Sequence, residues 1–136
     1  PHLGSRHEYS LAVQQEHTVP ALPIAALGLA AMPAVLATPV LVAVVEYACI
    51  LHIAALAPEA GLSVGTAVTI EHTAPTPVGL TVTVATELVD VRGRLLTFAF
   101  TAHDGIDAIG SGRHTRAIIS RARLEDRLAE KRLRTG

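Results

Sequence analysis

The longest apolar stretch of the chain is TPVLVAVVEYACILHIAALA, residues 38–57, with apolar side chains on nearly every face of the helix it would form. Thr38 is a favoured N-cap residue, Pro39 suits the first helical position, and Pro58 cannot continue a helix. The spacing predicts a helix over 38–57, and a helix that is apolar all round is a buried one. One carboxylate, Glu46, stands inside it. It lies about 80° round the helix and about 12 Å along the axis from Thr38. A buried carboxylate must be paired, hydrogen-bonded or protonated; the plain alternative is a solvated residue on one wet edge of the helix.

Around this helix the pattern changes to alternation. In 8–14, Tyr9, Leu11 and Val13 share a face, which predicts a strand. Residues 19–36 are rich in Ala, Pro and Leu without a strong period. They read as a loop with short helical turns, either a lid over a pocket or an interface piece. Further strands are predicted at 64–72, 80–91, 95–103 and 109–120. Leu80, Val82, Val84 and Leu88 line one face of the second of these, and Leu96, Phe98, Phe100 and Ala102 one face of the third. The turns fall at 91–94 and at Asp104-Gly105. Gly110 and Gly112 point to a bulge or to the close approach of another segment, and they alternate onto the face that carries His114 and Arg116. Residues 121–134 form a basic, Leu-spaced helix, read as solvated, with an anionic partner as the alternative. The order strand, lid, long apolar helix, four strands predicts an α+β domain over 6–120. Its antiparallel five-stranded sheet must curl round the helix, because a flat sheet would leave part of it bare.

Composition narrows the function. The 136 residues are enough for one domain with a real core, and with half of them hydrophobic and 17% charged the chain is not a disordered one. A net charge of -1 and the absence of Trp argue against nucleic acid as a partner. Residues 18–45 carry no charge, but Pro20, Pro23, Gly28, Pro33 and Pro39 break the run, and the segment after Pro39 contains Glu46 and His52. No membrane span is expected. The single cysteine, Cys49, cannot form an internal disulfide and fits a reducing, cytoplasmic setting. No secretory leader pattern opens the chain, and residues 1–5 read as an appended remnant outside the domain.

Metal and phosphate sites are not expected either. Glu46, Cys49 and His52 fan over about 120° of the helix, and there is no His-x-x-x-His or Cys-x-x-Cys pattern. Gly110-Ser111-Gly112 lies within a strand and lacks the lysine and helix of a phosphate loop. On the residues alone, Thr38 is an N-cap, His72 a surface histidine before the Pro-rich turn TAPTP, His52 structural or surface, and His103-Asp104 ordinary turn chemistry.

A set of stretches changes that reading. They are Ala37-Thr38 through Glu46-Tyr47-Ala48-Cys49, Gly65-Thr66-Ala67 with His72-Thr73-Ala74, and GLTVTV at 79–84. Ala102-His103-Asp104-Gly105 and Ile109-Gly110-Ser111-Gly112 with His114 and Arg116 complete the set. In this order and spacing the chain resembles the fluoroacetyl-CoA thioesterase group of hot-dog-fold acyl-CoA thioesterases. The resemblance implies a hot-dog fold, a long central helix wrapped by a curled antiparallel five-stranded sheet. It also implies an acyl-CoA substrate, no cofactor beyond the CoA of that substrate, and a homodimer with substrate near the subunit interface. The family's catalytic threonine, glutamate and histidine fall on Thr38, Glu46 and His72. Its phenylalanine-bearing, acidic lid is not matched: Met32 stands where the lid aromatic would, so the resemblance implies hydrolysis of a small acyl-CoA, fluoroacetyl-CoA or a related short acyl group, without fixing which.

Thioester hydrolysis needs a nucleophile, a base and donors for the developing oxyanion. Glu46, if desolvated, would have its charged form disfavoured and its basicity raised, and could activate water or assist Thr38. His72 could pass a proton to the leaving thiolate or polarise the carbonyl. Backbone N–H groups near Gly65 are candidate oxyanion donors, Met32 a wall of the acyl pocket, and Arg116 a contact to substrate or partner subunit. CoA phosphates would be met by arginines, Lys131 being the one lysine. The competing functions are a hot-dog hydratase or dehydratase, whose usual His/Asp pair is not evident, and a non-catalytic acyl-CoA or hydrophobic-ligand binding protein.

Overall fold

Alternation in the strand segments resolves into one antiparallel sheet. The computed structural model describes residues 3–23 and 29–135; part of the lid, 24–28, and the first two residues of the chain lie outside the described residues. The strands are β1 (Arg6–Ala12), β2 (Leu62–His72), β3 (Thr81–Arg92), β4 (Leu95–His103) and β5 (Ala108–Ile119), in the order β1-β3-β4-β5-β2. The helix α1 (Thr38–Leu56) follows β1 and, among the described residues, three short 3-10 turns, and α2 (Arg121–Thr135) follows β5 with no buried residue.

The face assignments hold. Val82, Val84 and Leu88 of β3 and Phe98, Phe100 and Ala102 of β4 are buried against Leu41, Val45, Ala48 and Cys49 of α1. By length and apolarity α1 could cross a membrane, yet here it is packed on the sheet. Gly93, in the left-handed region at φ 61°, makes the tight turn between β3 and β4. The close approach expected at Gly110 and Gly112 is that of β2: a Cβ on Gly110 would lie 2.7 Å from the Glu71 carbonyl, and one on Gly112 would overlap the Thr69 carbonyl.

Three expectations need correction. Thr38 is not the N-cap. Ala37 occupies that position, Thr38 is the first helical residue, and no side chain caps the helix, because the threonine hydroxyl is engaged elsewhere. Nor is α1 covered on every face: Pro39, Ala43, Tyr47, Ile50 and Ala54 form an exposed stripe along the helix. One curled sheet covers only part of the helix circumference. Finally, Gly4 and Ser5 belong to the fold. The Gly4 N–H donates to the Leu88 carbonyl, and the Ser5 carbonyl accepts from the Leu88 N–H, so the β1–β3 pairing runs into the segment expected to lie outside the domain.

Candidate active site

The start of α1 and the end of β2 meet, and they bring Thr38 and His72 together. The Thr38 Oγ1 lies 2.7 Å from His72 Nδ1. Thr38 is exposed, so the pair is open to solvent. With Nδ1 unprotonated the threonine hydroxyl donates to it, which is the arrangement of a hydroxyl activated by a neighbouring base. Burial lowers the His72 pKa, opposed by the carbonyl of Ala74, so the ring is held toward the neutral form that can accept this proton. His72 Nε2 is buried and has no hydrogen-bond partner among the described residues.

A second polar group lies further along α1. Arg116, on the inward face of β5, donates from Nε to Ser63 Oγ (2.8 Å) and from Nη2 to the Ser63 carbonyl (2.9 Å). Its Nη1 reaches Glu46 Oε2 and His114 Nε2, both at 3.1 Å. An arginine can only donate, so His114 Nε2 is the acceptor and His114 Nδ1 carries the proton that it gives to the Ala67 carbonyl at 2.8 Å. Burial lowers the His114 pKa, with the Ala67 bond opposing and the Arg116 charge adding to the effect. His114 is thereby neutral in a defined tautomer.

Glu46 differs from its sequence-based picture. Its side chain is 43% exposed and paired with a guanidinium that is only 5% exposed. The desolvation expected of it is replaced by an ion pair. Gly65 stands over this group: a Cβ there would lie 3.2 Å from His114 Cε1 and 3.4 Å from both Arg116 Nη1 and Glu46 Oε2. The register of β2 against β5 also shifts between Gly65 and Ala67. Glu46, Gly65, Thr66, Ala67, Val68 and His114 line an open cleft of about 330 Å³.

The candidate residues therefore fall into two groups. Thr38 pairs with His72, and Glu46 with Arg116 beside Gly65. Eight helical residues, about 12 Å, separate the positions of Thr38 and Glu46 along α1. Met32 sits on the lid, 48% exposed, and does not line the Glu46 cleft. His114 and Ser63 complete the second group. Alternation with Arg116 marked His114, whereas nothing marks a lone serine at a strand start. His52 is structural: it is buried, with Nδ1 2.8 Å from Thr86 Oγ1 and Nε2 2.7 Å from Ser5 Oγ. Burial also pushes the Cys49 thiol up to about 12, far from a nucleophilic thiolate. Among the described residues no group of His, Cys, Asp and Glu converges as a metal site would.

Comparison with known proteins places this geometry. The fluoroacetyl-CoA thioesterase of Streptantibioticus cattleyicolor is 40% identical over 129 residues, covering 95% of this chain and 93% of the relative. A solved structure of the fluoroacetyl-CoA thioesterase FlK superposes with a TM-score of 0.89 at 40% identity, covering 95% of this chain and 96% of that one. At 21% identity, a hot-dog-like protein from Thermanaerovibrio acidaminovorans matches in fold with a TM-score of 0.79, over 95% of this chain and 91% of that one. The long helix on a five-stranded antiparallel sheet is thus the hot-dog fold. Residues 13–122 match the family described as fluoroacetyl-CoA-specific thioesterase, and the chain belongs to that family of thioester hydrolases.

Proposed function

We propose that the protein hydrolyses small acyl-CoA thioesters to the acid and free CoA, with Thr38 and His72 as one half of the reacting group and Glu46 as the other. The observation that carries this reading is the 2.7 Å contact between Thr38 Oγ1 and His72 Nδ1. As the threonine oxygen attacks the thioester carbonyl, its proton passes to His72, which returns it to the departing CoA thiolate. The acyl-threonine ester is then hydrolysed by a water whose proton Glu46 accepts. As the acid leaves, Glu46 returns that proton to the Thr38 oxygen, which restores both the hydroxyl and the carboxylate. The backbone beside Gly65 gives close approach for the oxyanion, and Arg116 holds the Glu46 carboxylate in place. No cofactor enters these steps, and the buried thiol of Cys49 suits a cytoplasmic setting.

The two halves meet if the chain forms a homodimer through β2. This strand pairs with β5 on one side only, and residues 65–69 along it are exposed. A long open edge beside an apolar helix stripe, with Tyr47 46% and Ile50 38% exposed, is a surface that proteins cover. An antiparallel two-fold at Val68 sets His72 of one copy opposite Val64 of the other, one residue from the Gly65 that packs on Glu46. Each site then takes Thr38 and His72 from one subunit and Glu46 from its partner.

Thiol release from acetyl-, fluoroacetyl-, propionyl- and butyryl-CoA tests the activity, and no release from any of them refutes it. Co-expression of Thr38→Ala with Glu46→Gln tests the sharing. Each variant alone is expected to be inactive. Random pairing of the two restores one intact site in half of the dimers, about a quarter of wild-type activity. No recovery in a mixture shown to contain heterodimers refutes the shared site.

A further inference from the structure

Asp104 opens an Asp-Gly turn, and its Oδ1 does what such a residue ordinarily does, accepting from the N–H groups of Ile106 (3.0 Å) and Asp107 (2.8 Å). Turn chemistry explains neither its burial nor its second oxygen. Asp104 is only 4% exposed, and Oδ2 accepts at 2.9 Å from the hydroxyl of Thr76, which is fully buried in the loop between β2 and β3. A buried carboxylate with no cation beside it is costly unless donors surround it. The Asp107 N–H first, then those of Ile106 and the Thr76 hydroxyl, outweigh burial and hold the carboxyl below its usual range.

Thr76 connects this anchor to both members of the Thr38–His72 pair. It lies four residues after His72, and nearer the strand the Thr73 N–H is tied to the Ile109 carbonyl at 2.7 Å. Its own carbonyl accepts from the N–H of Leu36, two residues before Thr38, at 2.8 Å. Val35 bridges Pro77 beside it, and Thr18 bridges Leu36 on the other side. The chain entering α1 is therefore laid on the segment leaving β2, and Thr76 is where the two are pinned. Among the described residues the Thr38 hydroxyl caps no helix, and His72 Nε2 makes no well-formed hydrogen bond, the Ala74 carbonyl being the group that acts on the ring.

We infer that Thr76 and Asp104 are positioning residues for the Thr38–His72 pair, their buried hydrogen bond clasping the two segments that bring the threonine oxygen to the histidine nitrogen. The lid stem is held by the same clasp, since Leu36 closes the lid. The catalytic side of this inference rests on the function proposed above; the geometric side does not.

The test compares Thr76→Val, which keeps the shape and removes the donor, with Thr76→Ser, which keeps the donor. The readouts are kcat and KM for thiol release, and the ¹⁵N resonances of the His72 ring across pH. Thr76→Val is expected to lower kcat about tenfold or more, the scale of a sub-ångström to 1 Å misplacement, with KM within about twofold. It should also shift the His72 resonances and their titration midpoint, and Thr76→Ser should restore both. If Thr76→Val does not fold, Asp104→Asn is read in the same way. A folded variant with unchanged kcat and unchanged His72 resonances overturns the inference, as does a lowered Tm with both readouts unmoved. A wild-type protein that releases no thiol refutes the proposed function alone, and the His72 resonances then decide the clasp.

Discussion

Replacing Glu46 by Gln should separate activity from stability, and the surroundings of Arg116 set both magnitudes. In the wild-type protein the guanidinium is buried among Ser63 Oγ, the Ser63 carbonyl, His114 Nε2 and Glu46 Oε2. Glu46→Gln removes only the last charge, and an amide oxygen can still accept from Nη1. The Glu46 side chain is 43% open to water, so the lost ion pair should cost about 1 kcal/mol or less. Loss of the base should lower turnover by about 10²-fold or more. Arg116→Met gives the opposite balance. It strands the Ser63 carbonyl and His114 Nε2, each unsatisfied group costing about 1–3 kcal/mol, partly offset by no longer burying a guanidinium. A net loss of about 2–4 kcal/mol is expected. Urea unfolding followed by circular dichroism gives the two stabilities, and thiol release at saturating acyl-CoA gives the two activities. Folded Glu46→Gln that turns over within about threefold of wild type would refute Glu46 as the base. A larger loss of stability in Glu46→Gln than in Arg116→Met would refute the assignment of the buried bonds to Arg116.

Other outcomes follow from the same geometry. Gly65→Ala should fold, because His114 has only a few tenths of an ångström to give, yet lose at least about tenfold in kcat/KM as the methyl crowds the space a reacting carbonyl needs; wild-type kinetics would remove Gly65 from the site. Gly112→Ala, whose Cβ overlaps a β2 carbonyl, should fail to fold stably, and a normal melting curve would contradict the close strand approach. Burial lowers the pKa values of His52, His72 and His114, so the unfolded chain binds protons first as pH falls. Stability from these groups should be complete above the ordinary histidine value of about 6.5 and be lost as pH drops through the folded-state values; urea midpoints that stay flat or rise from pH 7.5 to 5 would refute the neutral-histidine assignment. With Met32 and its apolar neighbours as lid, butyryl-CoA should be accepted and the fluoroacetyl- over acetyl-CoA ratio of kcat/KM should stay well below about 10⁴, beyond what a passive apolar wall supplies; a higher ratio with rejection of butyryl-CoA would show a gating lid.

What could be read from the sequence was whatever depends on period. Inward-facing β3 and β4 residues repeat every second position, so their faces and nearly their ends were legible, and the same rule set Arg116 and His114 beside Gly110 and Gly112. A single carboxylate in an apolar helix announced that Glu46 needs a partner, and family resemblance named Thr38 and His72. Long-range use of short-range residues was not legible. Thr38 looks like an N-cap because capping is local, whereas its hydroxyl is spent on a histidine 34 positions away. Asp104 looks like a turn residue because Asp-Gly is one, and no pattern shows that its second oxygen binds Thr76. Ser5 looked dispensable for want of any period, although it bonds His52. The exposed stripe on α1 was hidden for a related reason: an apolar surface left open has the same composition as one packed in a core.

Two polar groups on α1 show what separates structure from chemistry in this fold. His52 and Glu46 lie six residues apart, and each sits where the helix meets polar residues of the sheet. Both ring nitrogens of His52 are occupied, by Thr86 and Ser5, and the residue is 1% exposed. The Thr86 hydroxyl in turn donates to the His7 carbonyl, so His52 Nδ1 is the donor to Thr86 and Nε2 the acceptor from Ser5. Every proton in that network is placed, and a ligand would have to break a bond to enter. Around Glu46 the bonds are arranged the other way. Arg116 is fully engaged and sealed, but it holds only Oε2; Oε1 makes no hydrogen bond among the described residues, and the side chain opens onto a cleft. The buried half of the group is spent on fixing the guanidinium through Ser63 and His114, and the open half keeps an acceptor free. A network closed at both ends stabilises the fold, while one closed at the back and open at the front can accept a proton from water without rearranging. On that difference, more than on the identity of the residues, Glu46 keeps an acceptor facing the cleft and His52 does not.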